Sequence, residues 1–269
     1  MLDKLKHIEH FQSAMTILDK FQLKDRIALV TGAATGLGAA IAIALAEAGA
    51  QVACHGNTRS PEETCKEIES SGGVAFGVTG DLSKRETAKQ LIDETLNRFG
   101  RLDILVNNAG TIRRSPAVDY SEEDWATVIE VNLSSVFRLS QLAGKHMIER
   151  DHPGKIVNIA SLLSFQGGIT VPAYAAAKGG VAQLTKALAN EWAKHRINVN
   201  AIAPGYMRTT NTAALQADET RNRQILERIP AGRWGEASDV AGTAVFLSSP
   251  ASDYVNGHVL VVDGGWMGR

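Results

Sequence analysis

Short apolar runs alternate with helical periods along most of the chain. Ile27–Thr31, Gln51–His55, Val74–Thr79, Asp103–Asn107, Lys155–Ala160, Ile197–Ala203 and His258–Val262 have the length and aliphatic content of strands buried on both faces. The spacing predicts helices over Gly36–Ala48, Pro61–Ser70, Lys84–Phe99 and a long stretch, Ser121–Arg150. Further helices are expected from Pro172 to near His195, less regularly over Thr212–Arg228, and over Ala237–Ser248. Such alternation predicts an α/β fold, a doubly wound parallel sheet covered on both faces and joined by right-handed crossovers. No linker, repeat or low-complexity tract divides residues 21–269, which read as one domain.

Before the first strand, Leu2, Leu5, Ile8, Phe11, Met15, Leu18 and Phe21 recur at near-helical spacing, predicting an amphipathic helical extension over residues 1–20. Its polar face mixes Lys4 and Lys6 with Asp3 and Glu9. That suits packing on its own domain or a sister subunit better than a membrane surface.

Composition narrows the classes. A formal net charge of -1 over 269 residues gives no electrostatic case for nucleic acid or an anionic membrane. No charge-free apolar stretch is long enough to span a bilayer, and the N-terminus lacks the apolar core of a secretory signal. Cys54 and Cys65 have neither metal-ligand nor disulfide-framework spacing, so no metal is expected and a reducing cytoplasm is the expected setting.

Candidate chemistry gathers at the ends of the strands. Ser161 closes the fifth run, and Tyr174 and Lys178 stand four apart on the following helix, on one face. A cation beside a phenol favours the phenolate, so Lys178 is expected to move the Tyr174 pKa from about 10 towards working pH. Ser161 is placed to bond the same substrate oxygen. At the other end, Gly32, Thr35, Gly36, Leu37 and Gly38 join the first strand to the first helix, where glycine backbone and a helix N-terminus suit a pyrophosphate. Position 56, where an acid would hold the adenosine ribose, is Gly56, followed by Asn57, Thr58 and Arg59. NAD and NADP therefore both stay open: Arg59 suits a 2′-phosphate or simply faces solvent. Asp81, with Leu82, suits the adenine edge or caps the next helix. Asn108, Ala109 and Gly110 lie at the carboxyl edge, where open parallel sheets bind ligands.

This set, with Asn132 and Pro204-Gly205, resembles the short-chain dehydrogenase/reductase family from about Leu23 onward. The resemblance implies a Rossmann fold of about seven parallel strands, a nicotinamide cofactor and a homotetramer. It makes Tyr174 the proton donor or acceptor and gives Lys178 the nicotinamide ribose and the lowering of the tyrosine pKa. Ser161 then stabilises the substrate oxygen, Asn132 holds a proton-relaying water, and Pro204, Gly205, Met207 and Thr209 hold the nicotinamide end.

Thr111-Ile112-Arg113-Arg114, Leu163-Ser164-Phe165-Gln166-Gly167-Gly168, Ala203-Pro204-Gly205-Tyr206-Met207 and Val262-Asp263-Gly264-Gly265-Trp266 are similar to one branch of that family, the 2-dehydro-3-deoxy-D-gluconate 5-dehydrogenase type. That implies oxidoreduction of a sugar acid, with NAD more usual than NADP. The residues add that Arg113 or Arg114 suits a carboxylate. Gln166, Tyr206 and Asn211 suit hydroxyls. Two other readings fit the same motifs, a 3-oxoacyl thioester or polyol reductase and a dinucleotide-binding protein without turnover.

Overall fold

A computed structural model describes residues 16–269, so nearly all of the predicted N-terminal helix lies outside the described residues. The seven predicted strands form, at β1 Ile27–Val30, β2 Gln51–Gly56, β3 Ala75–Thr79, β4 Ile104–Asn107, β5 Gly154–Ile159, β6 Ile197–Pro204 and β7 Val259–Val262. All pair parallel in one sheet, in the order β3-β2-β1-β4-β5-β6-β7. The winding reverses between β1 and β4, so a crevice opens beyond their carboxyl ends.

Nine helices flank the sheet among the described residues: α1 Gly36–Glu47, α2 Glu62–Ser70, α3 Arg85–Phe99, α4 Glu122–Ile129, α5 Ser135–Glu149, α6 Pro172–Trp192, α7 Ala213–Ala217, α8 Glu219–Arg228 and α9 Ala237–Ser248. On one face, Ile41, Ala42 and Leu45 of α1 meet Val240, Ala244 and Leu247 of α9 over β1. On the other, α3, α5 and α6 bury Leu91, Leu139, Met147 and Leu188. Burying each such side chain is worth roughly 1.5–3 kcal/mol, which makes a two-sided sheet the stable outcome of two-sided apolar strands.

Two elements differ from the periodicity. The predicted long helix is interrupted by a π-helical turn over Glu130–Ser134. The helix expected over Thr212–Arg228 is broken at Asp218, whose carboxylate accepts from Arg221 N at 3.0 Å and starts α8 afresh. A buried polar belt ties the site-bearing elements together. Asn107 Nδ2 donates to Ser140 Oγ (3.0 Å) and Asn158 Oδ1 (2.9 Å), and Asn158 Nδ2 donates to Thr185 Oγ1 (3.0 Å). No described helix is long and apolar enough to cross a membrane, and the described residues hold no cluster of metal-ligating side chains.

Candidate active site

The nucleotide end is built from backbone. α1 starts at Thr35 with no side-chain cap, leaving its first N–H groups open towards the crevice. A Cβ on Gly38 would stand inside contact distance of the Gly32 carbonyl oxygen and the Asn108 amide, so only glycine fits there. Thr31 Oγ1 accepts from Asn108 N and Ala109 N (both 3.0 Å), and Asn108 Nδ2 donates to Thr31 O (2.8 Å) and Gly32 O (3.1 Å). Asn108, expected to touch cofactor, thus has its side chain committed to the loop itself. His55, which the sequence did not single out, does the same from β2. Gly32 N donates to its Nδ1 (3.2 Å), so the Nε2–H donates to Gly80 O (2.9 Å), and burial lowers its pKa and keeps it neutral. An uncapped helix N-terminus under a pre-tightened glycine loop fits a pyrophosphate.

Gly56 has a steric reason. A Cβ there would collide with the Arg59 carbonyl oxygen and reach 3.0 Å from Pro61 Cδ, so the turn over 57–60 leaves no room for a ribose-binding acid. Asn57, Thr58 and Arg59 are exposed beyond it, and Arg59 pairs with Glu63 at 3.4 Å. Asp81 is not the cap of the next helix, whose N-cap is Lys84. Its Oδ1 instead accepts from Ser83 N (2.9 Å), which lowers its pKa, and the Leu82 side chain is core.

Ser161, Tyr174 and Lys178 come together. Ser161 lies just past β5, extended, with its Oγ accepting from Leu163 N (3.2 Å) and hydrogen-bonded to the Tyr174 phenol. Lys178, fully desolvated, donates from Nζ to Ile159 O (2.6 Å), with Nζ 5.6 Å from the Tyr174 ring centroid. The expected electrostatics are reversed. Burial raises the Tyr174 pKa above its ordinary value, against the opposing pull of the Ser161 bond and of the Arg114 charge. Lys178 is itself lowered, to about 8, by burial. The ammonium is committed to a strand carbonyl, and Arg114 is the cation that favours the phenolate. The phenol is therefore protonated at neutral pH, the state of an acid.

Asn132 sits in the π-turn, fully buried. Its Nδ2 donates to Thr111 O (2.7 Å) and Val128 O (2.9 Å), and its Oδ1 accepts from Thr111 N (3.0 Å). One amide hydrogen pins the loop after β4 and the other is spent on the α4 carbonyl of Val128, so a water relay here would use the main-chain carbonyl. On that loop the two arginines diverge. Arg113 pairs with Asp124 at 3.3 Å and donates to Thr111 Oγ1 (3.0 Å), whereas Arg114 acts on the phenol.

The opposite wall is aromatic. Tyr206, expected to bond a hydroxyl, has its ring 5.6 Å from that of Trp234 and 4.6 Å from that of Trp266. Leu162, Ile225 and Ile229 complete this cluster, which seats α8. Gln166 Oε1 accepts from Trp266 Nε1 at 3.2 Å. The sequence named neither Trp234 nor Trp266 as a site residue, and their spacing alone carries no signal. Pro204 ends β6, Gly205 follows it, Met207 bridges to Gly235, and Thr209 Cγ2 would lie 3.8 Å from a Cβ on Gly36, so this loop reaches the glycine loop. The Asn211 side chain lies outside the described ones.

Comparison with known proteins shows the family. The family profile described as Enoyl-(Acyl carrier protein) reductase matches residues 32–267. The chain is 58% identical over 251 residues to the 2-dehydro-3-deoxy-D-gluconate 5-dehydrogenase of Bacillus subtilis (strain 168), covering 93% of this chain and 98% of that one. It is 53% identical over 253 residues to the Escherichia coli (strain K12) protein of the same name, covering 94% and 100%. A solved Agrobacterium tumefaciens structure, proposed to be a 2-deoxy-D-gluconate 3-dehydrogenase and holding NADP, superposes with a TM-score of 0.88 at 56% identity, covering 93% and 100%.

Proposed function

Because the chain belongs to the short-chain dehydrogenase/reductase family, we propose that it is an NAD(P)-dependent oxidoreductase that interconverts 2,5-diketo-3-deoxygluconate and 2-keto-3-deoxygluconate. The coarser part, oxidoreduction of a sugar acid, follows from relatives that share over half of their residues with it. The glycine loop and the α1 N-terminus would hold the pyrophosphate, Lys178 the nicotinamide ribose, and the loop from Pro204 to Thr209 the nicotinamide end. When bound, the dinucleotide supplies or accepts the hydride at the reacting carbon. In reduction, Tyr174 gives its phenolic proton to the oxygen that becomes the alcohol, so a C–H and an O–H bond form as the C=O π bond is lost. Ser161 donates to the same oxygen and stabilises its developing charge. The phenolate left behind is held by Arg114 until solvent returns its proton, by way of the Asn132 carbonyl. Arg114 also suits the substrate carboxylate, which gives the cleft its acid preference over a thioester or a neutral polyol.

The observation that carries this reading is that Ser161 and Arg114 both act on one half-buried phenol. The test is spectrophotometric: rates with 2-keto-3-deoxygluconate and with gluconate, each with NAD+ and NADP+. Turnover of the former with either dinucleotide is expected, and no absorbance change in any of the four assays would sink the proposal. We also propose a cytoplasmic homotetramer in which residues 21–269 are the catalytic domain and residues 1–20 a helical extension. Trp125 of α4 and Phe137 of α5, about two-fifths exposed, support the assembly (41% and 42%). Sedimentation showing a monomer at micromolar concentration would end that part.

A further inference from the structure

Trp266 sits where three separate segments meet. It opens the last helical turn of the chain, which Asp263 brackets: Oδ1 accepts from Gly265 N (2.8 Å) and Oδ2 from Met267 N (2.7 Å). Its indole is buried, with the Arg228 guanidinium of α8 4.0 Å from one ring centroid and Tyr206 of the loop after β6 against it. Its one polar atom, Nε1, donates to Gln166 on the loop between Ser161 and Tyr174.

An indole N–H can only donate. The amide of Gln166 must therefore turn its oxygen to the indole, which leaves Nε2 as the free end. Among the described residues no acceptor takes a hydrogen bond from that Nε2. We infer that Trp266 is a positioning residue for substrate: it orients the Gln166 amide so that its NH2 faces the cleft as a donor to an acceptor oxygen of the bound sugar acid. This rests on the proposal that a sugar acid occupies the cleft. Without the indole donor the amide is free to flip, and half of its orientations present oxygen to an oxygen-rich ligand. The same indole is braced by α8, so the orientation of Gln166 is also tied to the seating of that helix.

The test is a double-mutant cycle on substrate binding. Trp266→Phe keeps an aromatic ring in the cluster and removes the donor together with the second ring of the indole, and Gln166→Leu removes the amide. Affinity for 2-keto-3-deoxygluconate would be measured by calorimetry on the protein saturated with NADPH, a pair that cannot turn over, with KM and kcat measured alongside in the productive direction. Losing one hydrogen bond's worth of orientation should weaken substrate binding about three- to tenfold in Trp266→Phe, with KM rather than kcat carrying the loss. NADP+ affinity should stay within about twofold. In the Gln166→Leu background the Trp266→Phe change should have no further effect. Unchanged substrate affinity in Trp266→Phe, or a loss that multiplies in full on Gln166→Leu, would overturn the inference. Wild-type protein that binds no sugar acid at all would remove the underlying reading as well, which distinguishes the two failures.

Discussion

The two halves of the crevice are built on different principles. The nucleotide half is backbone held by short polar side chains: Thr31, His55 and Asn108 all bond main-chain groups of the loop they support. The half proposed for substrate is a set of large side chains drawn from four segments, Gln166, Tyr206, Trp234 and Trp266, resting on one another through ring faces and single hydrogen bonds. The first arrangement is cross-linked by hydrogen bonds and would serve a ligand part common to many enzymes. The second is adjustable, since rings can repack around a different substrate at modest cost. Between them stand Ser161, Tyr174 and Lys178, which both halves need.

The largest effect should come from that shared centre. Tyr174→Phe removes the proton and keeps the ring, so turnover should fall about 10²- to 10⁴-fold, the range of a general acid. Cofactor affinity, read by fluorescence titration, should change little. Turnover within tenfold of wild type would take Tyr174 out of the chemistry and leave the two halves without a common purpose.

Next is the stiffness of the nucleotide half. In Gly38→Ala the new Cβ meets a main-chain oxygen that cannot move without opening the loop. The dissociation constant for NADP(H) should rise at least about a hundredfold, a loss of roughly 3 kcal/mol. If the halves are independent, the near-ultraviolet circular dichroism of the aromatic cluster should survive. Its collapse in Gly38→Ala would show one cooperative site instead of two.

The same contrast decides what the sequence could reveal. The strands were legible because a sheet covered on both faces demands uninterrupted apolar runs, and Ile27–Val30 or Ile104–Asn107 has no other use. The glycine run was legible because its geometry is local, as was the four-residue step from Tyr174 to Lys178. The π-turn around Asn132 was not, since one extra residue in a helix leaves the periodicity almost unchanged. Trp234 and Trp266 acquire meaning only when β6 and the chain end lie side by side. The direction of the Tyr174 pKa is set first by burial, with the Lys178 ammonium spent on a strand carbonyl, and spacing along a helix reveals neither.

Lys178 provides a test between these scales. Its pKa is about 8 in the folded protein against 10.5 for the free side chain, because burial disfavours the charge. Below pH 8 both folded and unfolded chains hold the proton, and the cost of burying it is constant. From pH 8 upward the folded chain sheds a proton that the unfolded chain keeps, so folding stability from this group rises with pH. Denaturant unfolding of wild type and Lys178→Met at pH 7.5 and 9.5, below the raised Tyr174 titration, should show the difference moving in favour of wild type by roughly 2 kcal/mol. A constant or opposite difference would mean that the ammonium is solvated after all, and that the centre is not as dry as its geometry implies.

The smallest expected effect separates the neighbouring arginines. Arg114→Ala should raise KM for a sugar acid about tenfold, the worth of one charge-assisted bond in a partly dry cleft. It also removes a charge that favours the phenolate, so the pH-rate profile for alcohol oxidation should shift to higher pH. Arg113→Ala, which mainly frees Asp124 at the surface, should change KM less than about threefold and leave the profile in place. The two readouts make the comparison strict. If Arg113→Ala carried the KM effect while Arg114→Ala moved only the pH profile, the carboxylate would lie on the far side of the loop after β4. Arg114 would then serve the phenol alone, and the acid preference of the cleft would come from Arg113.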